Sequence, residues 1–432
     1  MIKIIPAALF FLSFFASLVS NEILRRLSIK YNFLIDKPNQ NRKFHRHNTP
    51  ATGGIAISIG IIFSGFFLFS LSDSSFDLEV SSDRFASSSI TENISVNNTY
   101  EMQLENGLNI KIERLNDESF IITLPSGEKR LYKIYLDSNQ PYYDSYEILE
   151  NGKTNTLKIT NFSIGLFFFT LLIQFIMTID DLWGLKAITK LFFQTICVAG
   201  LIFVSDTYIT TLGNLIGTGE ITLGIFGIPF TIFCVVGMMN AFNMIDGING
   251  LCASLCLVCF VAIIYLLSAN NITNPFLLIL PVGSIVGFLM YNLGILGNRT
   301  VFLGDNGSNA LGFLSAWVLI YFSNIENSLM QPVTALWLVA IPFIDAVGVI
   351  FSRILKKLKV LNSHRDHIHH KLLSQSLSPE AVFSILISIS GLLALVGLLF
   401  NNNFEQSFYS FYTFLFFWSC YYLVVRKISS NV

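Results

Sequence analysis

Asp180 and Asp181 stand side by side in Asp180-Asp181-Leu182-Trp183-Gly184-Leu185, and Asn240, Asn243 and Asp246 recur at spacings of three just before Gly247 and Gly250. Asp305 lies in Phe302-Leu303-Gly304-Asp305-Asn306-Gly307-Ser308, and His367, His369 and His370 follow a run holding Arg353, Lys356, Lys357, Lys359 and Arg365. Carboxylate and amide oxygens suit a hard cation such as Mg2+, which keeps waters and substrate phosphates as its remaining ligands. Glycines around Asp305 let the backbone approach a ligand closely, and the amino terminus of a following helix favours phosphate. The Arg, Lys and His run reads as a cationic wall for a diphosphate. Histidines two apart on a helix face opposite ways, so these three are not expected to form a three-His zinc site. Each motif alone has a plainer reading as a helix cap, a turn or a topogenic loop. Five such motifs on one membrane face, counting the loop described next, are hard to explain as caps.

That loop runs Asp36-Lys37-Pro38-Asn39, then Arg42-Lys43-Phe44-His45, then Thr49-Pro50 and Gly53-Gly54. Arg42, Lys43 and His45 offer further groups for an anionic ligand, although juxtamembrane basic segments also attract anionic lipid. Within Asp180-Asp181, neighbours on a helix point about 100° apart, so the two carboxylates are not expected to share one target. One could ligate a metal while the other acts on substrate.

The elements that must hold these groups are membrane helices. Of 432 residues, 53% are hydrophobic and 13% charged, and mean hydropathy is +0.60. Soluble domains carry roughly 25% charged residues, so the chain reads as a polytopic membrane protein. A crossing helix needs about 20 apolar residues. Eleven stretches qualify: 4–24, 54–71, 162–179, 187–204, 221–239, 251–268, 276–293, 308–323, 333–352, 381–400 and 408–425. Pro229 makes the hairpin 221–268 the one candidate for a broken helix. With the amino terminus outside, eighteen of the 27 basic residues fall in cytoplasmic loops, and none falls in the four short loops of the other side. That asymmetry sets the orientation and puts every motif on the cytoplasmic face. Residues 4–20 are expected to stay as a helix rather than leave as a signal peptide, because Arg25 and Arg26 follow directly.

The expected fold is an all-α polytopic membrane bundle with a small external β-rich insert. Its parts are residues 1–71 (two helices and the basic loop), 72–161 (a linker, then alternating strand-like segments such as Phe120–Leu124 between turn signals), and 162–432 (the remaining nine helices). The six cysteines all fall in expected spans, so disulfides are not expected. A net charge of −1 argues neither for nor against nucleic acid, and no nucleic-acid partner is expected.

Taken in order, Pro-Asn…Arg-Lys-x-His…Thr-Pro…Gly-Gly, Asp-Asp, Asn-Ala-Phe-Asn-Met-x-Asp-Gly, Gly-Asp-x-Gly and His-Ile-His-His resemble the polyprenyl-phosphate N-acetylhexosamine-1-phosphate transferase family. The branch it most resembles is the bacterial UDP-GlcNAc:undecaprenyl-phosphate GlcNAc-1-phosphate transferases. The resemblance implies transfer of sugar 1-phosphate from a UDP-N-acetylhexosamine to undecaprenyl phosphate at the cytoplasmic (inner) membrane, with Mg2+ (or Mn2+) and release of UMP. It also implies roles. Asp305 becomes a metal ligand with Asp181, and Phe302 a uracil contact. Asp180 or Asp181 activates the lipid phosphate or acts as nucleophile. Asn243 and Asp246 shape the nucleotide site, and His367, His369 and His370 contact the diphosphate. Membrane lipid is the expected surrounding, and a homo-oligomer is compatible with the sequence. Three residues depart from the family's pattern: Asn249 where a second Asp is usual, Asn306 for Ala, and His364 for Asp. The insert is a further departure. Two other classes stay open at this level: a catalytically inactive scaffold that presents the insert, and an ion-coupled transporter, whose sites lie nearer the midplane at broken helices.

Overall fold

The computed structural model describes residues 4–37, 48–71, 99–103, 109–116, 119–123, 129–137, 140–148, 161–270, 276–324, 329–358, 366–401 and 406–430. Its helices are α1 Ile4–Tyr31, α2 Gly53–Leu71, α3 Asn161–Trp183, α4 Ala187–Ser205, α5 Gly227–Ile245, α6 Leu251–Ala269, α7 Phe276–Asn292, α8 Gly304–Ser323, α9 Pro332–Leu338, α10 Ala340–Leu355, α11 Ile368–Ser374, α12 Pro379–Phe400 and α13 Gln406–Ser430. The chain divides into two units: Met1–Phe76 with Ile159–Val432, and Asp77–Lys158.

The second unit contains a five-stranded antiparallel meander, β3 Thr99–Gln103, β4 Asn109–Asn116, β5 Ser119–Thr123, β6 Lys129–Asp137 and β7 Gln140–Ile148, paired in sequence order. Short connections between successive strands permit this order. The longest ladder runs from Lys129↔Ile148 to Asp137↔Gln140.

The first unit is the helical bundle, a polytopic membrane architecture. Nine of the eleven expected stretches fall on one helix to within a residue, 221–239 becomes helical only from Gly224 and 333–352 is split between α9 and α10, and the helices do not all meet the criteria for a crossing. Seven among the described residues are long and apolar enough to cross a membrane, eight if the bent pair α9–α10 counts as one span. Gly53–Phe66 and Leu277–Asn292 are shorter apolar helices. The eighth stretch lies in α8, where Asp305, Asn306, Ser308 and Asn309 load the first turns with polar groups. Those groups are tolerable because α8 is the buried centre of the bundle, with Asn306 through Ile320 all buried and α2, α3, α5 and α6 packed around it.

The stretch 333–352 is not one straight helix. It breaks by 88° at Val339. Pro342 lacks the N–H that would bond to the carbonyl of Leu338, and its ring clashes there, so the helix stops and restarts with Phe343 N–H donating to Val339 O (3.1 Å). The candidate break near Pro229 does not occur within α5. That proline sits in the first turn of α5, where no intrahelical donor is required. Small residues bring α1 against α7: a Cβ on Gly283 would fall 2.5 Å from Phe10 O, and one on Gly287 2.5 Å from Phe14 O. Dispersion across such close backbones, rather than the hydrophobic effect, holds helices together in lipid.

Candidate active site

The amino terminus of α8 organises the site. A carboxylate is the natural cap for a helix start, where N–H groups lack intrahelical partners and the dipole is positive. Here the cap comes from another helix. Asp181, in the last turn of α3, accepts from Asp305 N–H (3.2 Å), Asn306 N–H (3.1 Å) and Asn306 Nδ2 (2.7 Å). Asn306 Nδ2 also donates to Ala51 O (3.2 Å), tying in the segment that opens α2. There the strands β1 Ile35–Asp36 and β2 Thr49–Pro50 pair, and the backbone continues onto the loop before α8. Phe302 N–H donates to Pro50 O (2.7 Å), Gly53 N–H to Phe302 O (2.9 Å) and Gly54 N–H to Leu303 O (3.1 Å). Gly54 has no room for a side chain, since a Cβ would sit 2.2 Å from Asn306 Oδ1 and 2.4 Å from Gly307 Cα.

Asp180 points elsewhere, as the helical angle requires. It is buried, accepts from Leu185 N–H (2.6 Å) and pairs with Lys190 of α4. Lys190 Nζ also donates to Asp305 Oδ2 at 3.2 Å, so one ammonium joins two of the acids. Beneath it runs a chain of amides. Asn240 Nδ2 donates to Gln194 Oε1 (3.0 Å), Gln194 Nε2 to Asn309 Oδ1 (2.7 Å), and Asn309 Nδ2 to Asp305 O (2.8 Å). Asn243 Nδ2 donates to Ser308 Oγ (2.9 Å). These bonds set α4, α5 and α8 in register around Asp305.

The polar ends enclose a cavity of about 890 Å³. Asp181, Asn243, Asp246, Phe302, Asp305, His369 and His370 all line it, as does Asn249. Asp246 lies one residue beyond the apolar span Gly224–Ile245. Burial first, and then the nearby Asp305 and Asp181 carboxylates, push its carboxyl up to about 8. His369 is fully buried, and burial with His370 beside it brings its imidazole down to about 3. Neither ring nitrogen of His369 has a hydrogen-bond partner among the described residues, and a Cβ on Gly247 would fall 2.2 Å from His369 Nε2.

His367 is placed differently. It does not line the cavity; its Nδ1 lies 2.7 Å from Asp345 Oδ2, behind the wall that His369 and His370 form. Arg42, Lys43 and His45 fall in 38–47, outside the described residues, but both ends of their loop are pinned beside the cavity, where Ile35, Asp36 and Ala51 line it.

Sequence reasoning missed Gln194, Asn309, Asp345 and Tyr421, and counted Lys190 only as a topogenic charge. The available signal was general: polar and ionisable side chains inside membrane helices are costly and face partners.

Comparisons with known proteins bear on this geometry. Residues 163–323 match the family model described as glycosyl transferase family 4. Three similar proteins carry the name undecaprenyl-phosphate alpha-N-acetylglucosaminyl 1-phosphate transferase. The one from Yersinia pestis is 32% identical over 230 residues, 53% of this chain and 63% of the relative. The one from Escherichia coli K12 is 34% identical over 227 residues, 52% and 62%. The one from Haemophilus influenzae is 33% identical over 227 residues, 51% and 63%. Each alignment thus spans less than two thirds of the relative's own length.

Proposed function

We propose that this chain, whose residues 163–323 match the glycosyl transferase family 4 model, transfers N-acetylhexosamine 1-phosphate from a UDP-sugar to undecaprenyl phosphate and releases UMP. GlcNAc 1-phosphate is the group favoured by the names of the three relatives. The acceptor phosphate attacks the sugar-bound phosphorus, the bond to the UMP oxygen breaks, and a lipid-linked diphosphate sugar forms. The reading rests above all on one observation: Asp181, Asp246 and Asp305, from three different helix ends, meet at one cavity.

In this reading Asp305 and Asp181 hold Mg2+, with Asp246 nearby and substrate oxygens completing the shell. No ready-made group of three or more His, Cys, Asp or Glu ligands occurs among the described residues. Mg2+ does not need one, since it usually takes one or two carboxylates plus substrate phosphates. Burial is the main reason that Asp246 is pushed up to about 8; the Asp305 and Asp181 carboxylates add a repulsion, and that part a divalent cation relieves. When bound, the ion neutralises diphosphate charge and polarises the phosphorus under attack. The remaining work belongs to the chain. Asn243 shapes the nucleotide site, and Phe302 stacks on the uracil. Asp180 or Asp181 acts on the lipid phosphate, and of the two Asp181 lines the cavity while Asp180 reaches it only through Lys190. His369 and His370, with His367 behind them and Arg42, Lys43 and His45 in the loop, face the diphosphate. The topology that suits this chemistry has eleven spans, the cavity on the cytoplasmic face of the inner membrane, and the β-rich insert on the opposite side.

Purified protein given UDP-GlcNAc and undecaprenyl phosphate should release UMP, and EDTA should stop it. Asp305→Ala should abolish release while leaving thermal unfolding cooperative. No release from any UDP-N-acetylhexosamine would turn the assignment toward an inactive scaffold.

A further inference from the structure

Asp345 lies in α10, well away from the acids of the cavity in sequence, and only 3% of it is exposed. A buried carboxylate must find donors, and this one has three from three directions. His367 Nδ1 lies 2.7 Å from its Oδ2, Ile368 N–H donates to its Oδ1 (2.9 Å), and Tyr421 O–H from α13 donates to the same oxygen (2.7 Å). His367 is the residue before α11, and Ile368 is the first residue of that helix. Asp345 therefore caps α11 and orients the imidazole that precedes it. Eight residues further along α10, Arg353 donates through Nε (3.3 Å) and Nη2 (3.2 Å) to Asp366 Oδ2, a second clamp on the same segment. The His367 ring lies nearly parallel to the His369 ring (centroids 6.2 Å, planes 10° apart), and His369 packs at 4.1 Å against His370. Both of those line the cavity.

We propose that Asp345, steadied by Tyr421, is a positioning residue that holds His367 as the Nδ1–H tautomer and sets the angle at which the histidine segment meets the cavity. A carboxylate accepts only, so the imidazole must present a proton at Nδ1, which fixes the ring's orientation and directs Nε2 away from Asp345. Outer partners of metal-ligating histidines govern orientation and tautomer in this way, at about 10- to 100-fold in activity, and the same scale is expected for a partner that orients a histidine beside the cavity. The catalytic part of the inference rests on the proposed transfer reaction; the tautomer part does not.

The test uses the full chain in nanodiscs. With histidine labelled by 15N, the His367 signals, identified by their loss in His367→Gln, should show protonated Nδ1 and bare Nε2. Asp345→Asn should move that proton to Nε2 or mix the two forms; unchanged signals would overturn the inference. In UMP release, Asp345→Asn and His367→Gln should each lower kcat/KM about 10- to 100-fold, and the double variant should be little worse than either alone. Fully additive losses would mean that Asp345 does not act through His367, and would overturn the positioning role. If Asp345→Asn does not fold, Tyr421→Phe carries the same cycle: its smaller loss must disappear in the His367→Gln background. A wild-type protein that releases no UMP but shows the expected tautomer sinks the transfer reading and leaves the Asp345–His367 relation standing.

Discussion

Asp181 at the end of α3 accepts hydrogen bonds from Asp305 N–H and Asn306 N–H in the first turn of α8. One acid of the cavity is thus the cap of the helix that carries another. The arrangement couples the placement of α3 to the placement of Asp305, so the site forms only when those two helices dock.

Removing that cap should cost stability as well as turnover. Asp181→Ala leaves the first N–H groups of α8 without an acceptor and should destabilise the protein by about 1 kcal/mol, the usual worth of a cap. Asp181→Asn keeps one oxygen for them and should lose less. Thermal unfolding in detergent reads the difference, and an alanine variant as stable as its parent would show that the cap carries no weight.

Lys190 neutralises Asp180 and bonds to Asp305. Lys190→Met leaves Asp180 buried beside an apolar chain, and breaking a buried pair on one side costs about 3–5 kcal/mol. Adding Asp180→Asn should restore part of that stability, because the stranded charge is gone, yet should restore no UMP release. Recovery of both together would mean that the ammonium serves the fold alone.

The approach of α2 to α8 leaves no room at Gly54. Gly54→Ala should cost about 1–3 kcal/mol through overpacking against Asn306 and Gly307. On the same helix, a Cβ added to Gly65 would have its nearest neighbour 3.9 Å away, so Gly65→Ala should fall within about 0.5 kcal/mol of the parent. Parallel melting curves of the two variants decide the matter.

His369 gives the protein an acid-sensitive point. Its imidazole is held down at about 3 by burial and by His370, while an unfolded chain would protonate it near 6.5. Between those values the unfolded state binds the extra proton. The neutral buried imidazole is therefore compatible with the fold above about pH 6.5, and stability falls as pH drops toward 3. His369→Gln should flatten the dependence of thermal midpoint on pH in that window. A slope equal to the wild type would assign the acid sensitivity to other groups.

Much was legible without coordinates because membrane helices announce themselves by long apolar runs, and because Asp180, Asp246 and Asp305 stand at the ends of such runs. The divergence of Asp180 from Asp181 followed from helix geometry alone, and the structure has them on different partners. The alternating segments after Thr99 also read correctly as strands, since period-two patterns between turn signals are local information.

What sequence could not supply is every relation between helices distant along the chain. The break at Val339 was missed because a proline's effect depends on what precedes it: Pro342 follows a turn of helix, α9, that it prevents from continuing, whereas Pro229 follows a loop and a short 3-10 turn and simply sits in the first turn of α5. Lys190 meets Asp305 across 115 positions, and Asp345 meets Tyr421 across 76. An apolar run specifies that a helix will lie in lipid but not which face meets which neighbour, because close packing and paired polar groups choose among many helix pairings only once the bundle has assembled. Residue types and their order therefore determined the kind of chemistry this protein can hold. The tertiary structure decided which acid caps, which pairs with lysine and which faces the cavity, since a buried charge takes its role from the partners that assembly brings to it.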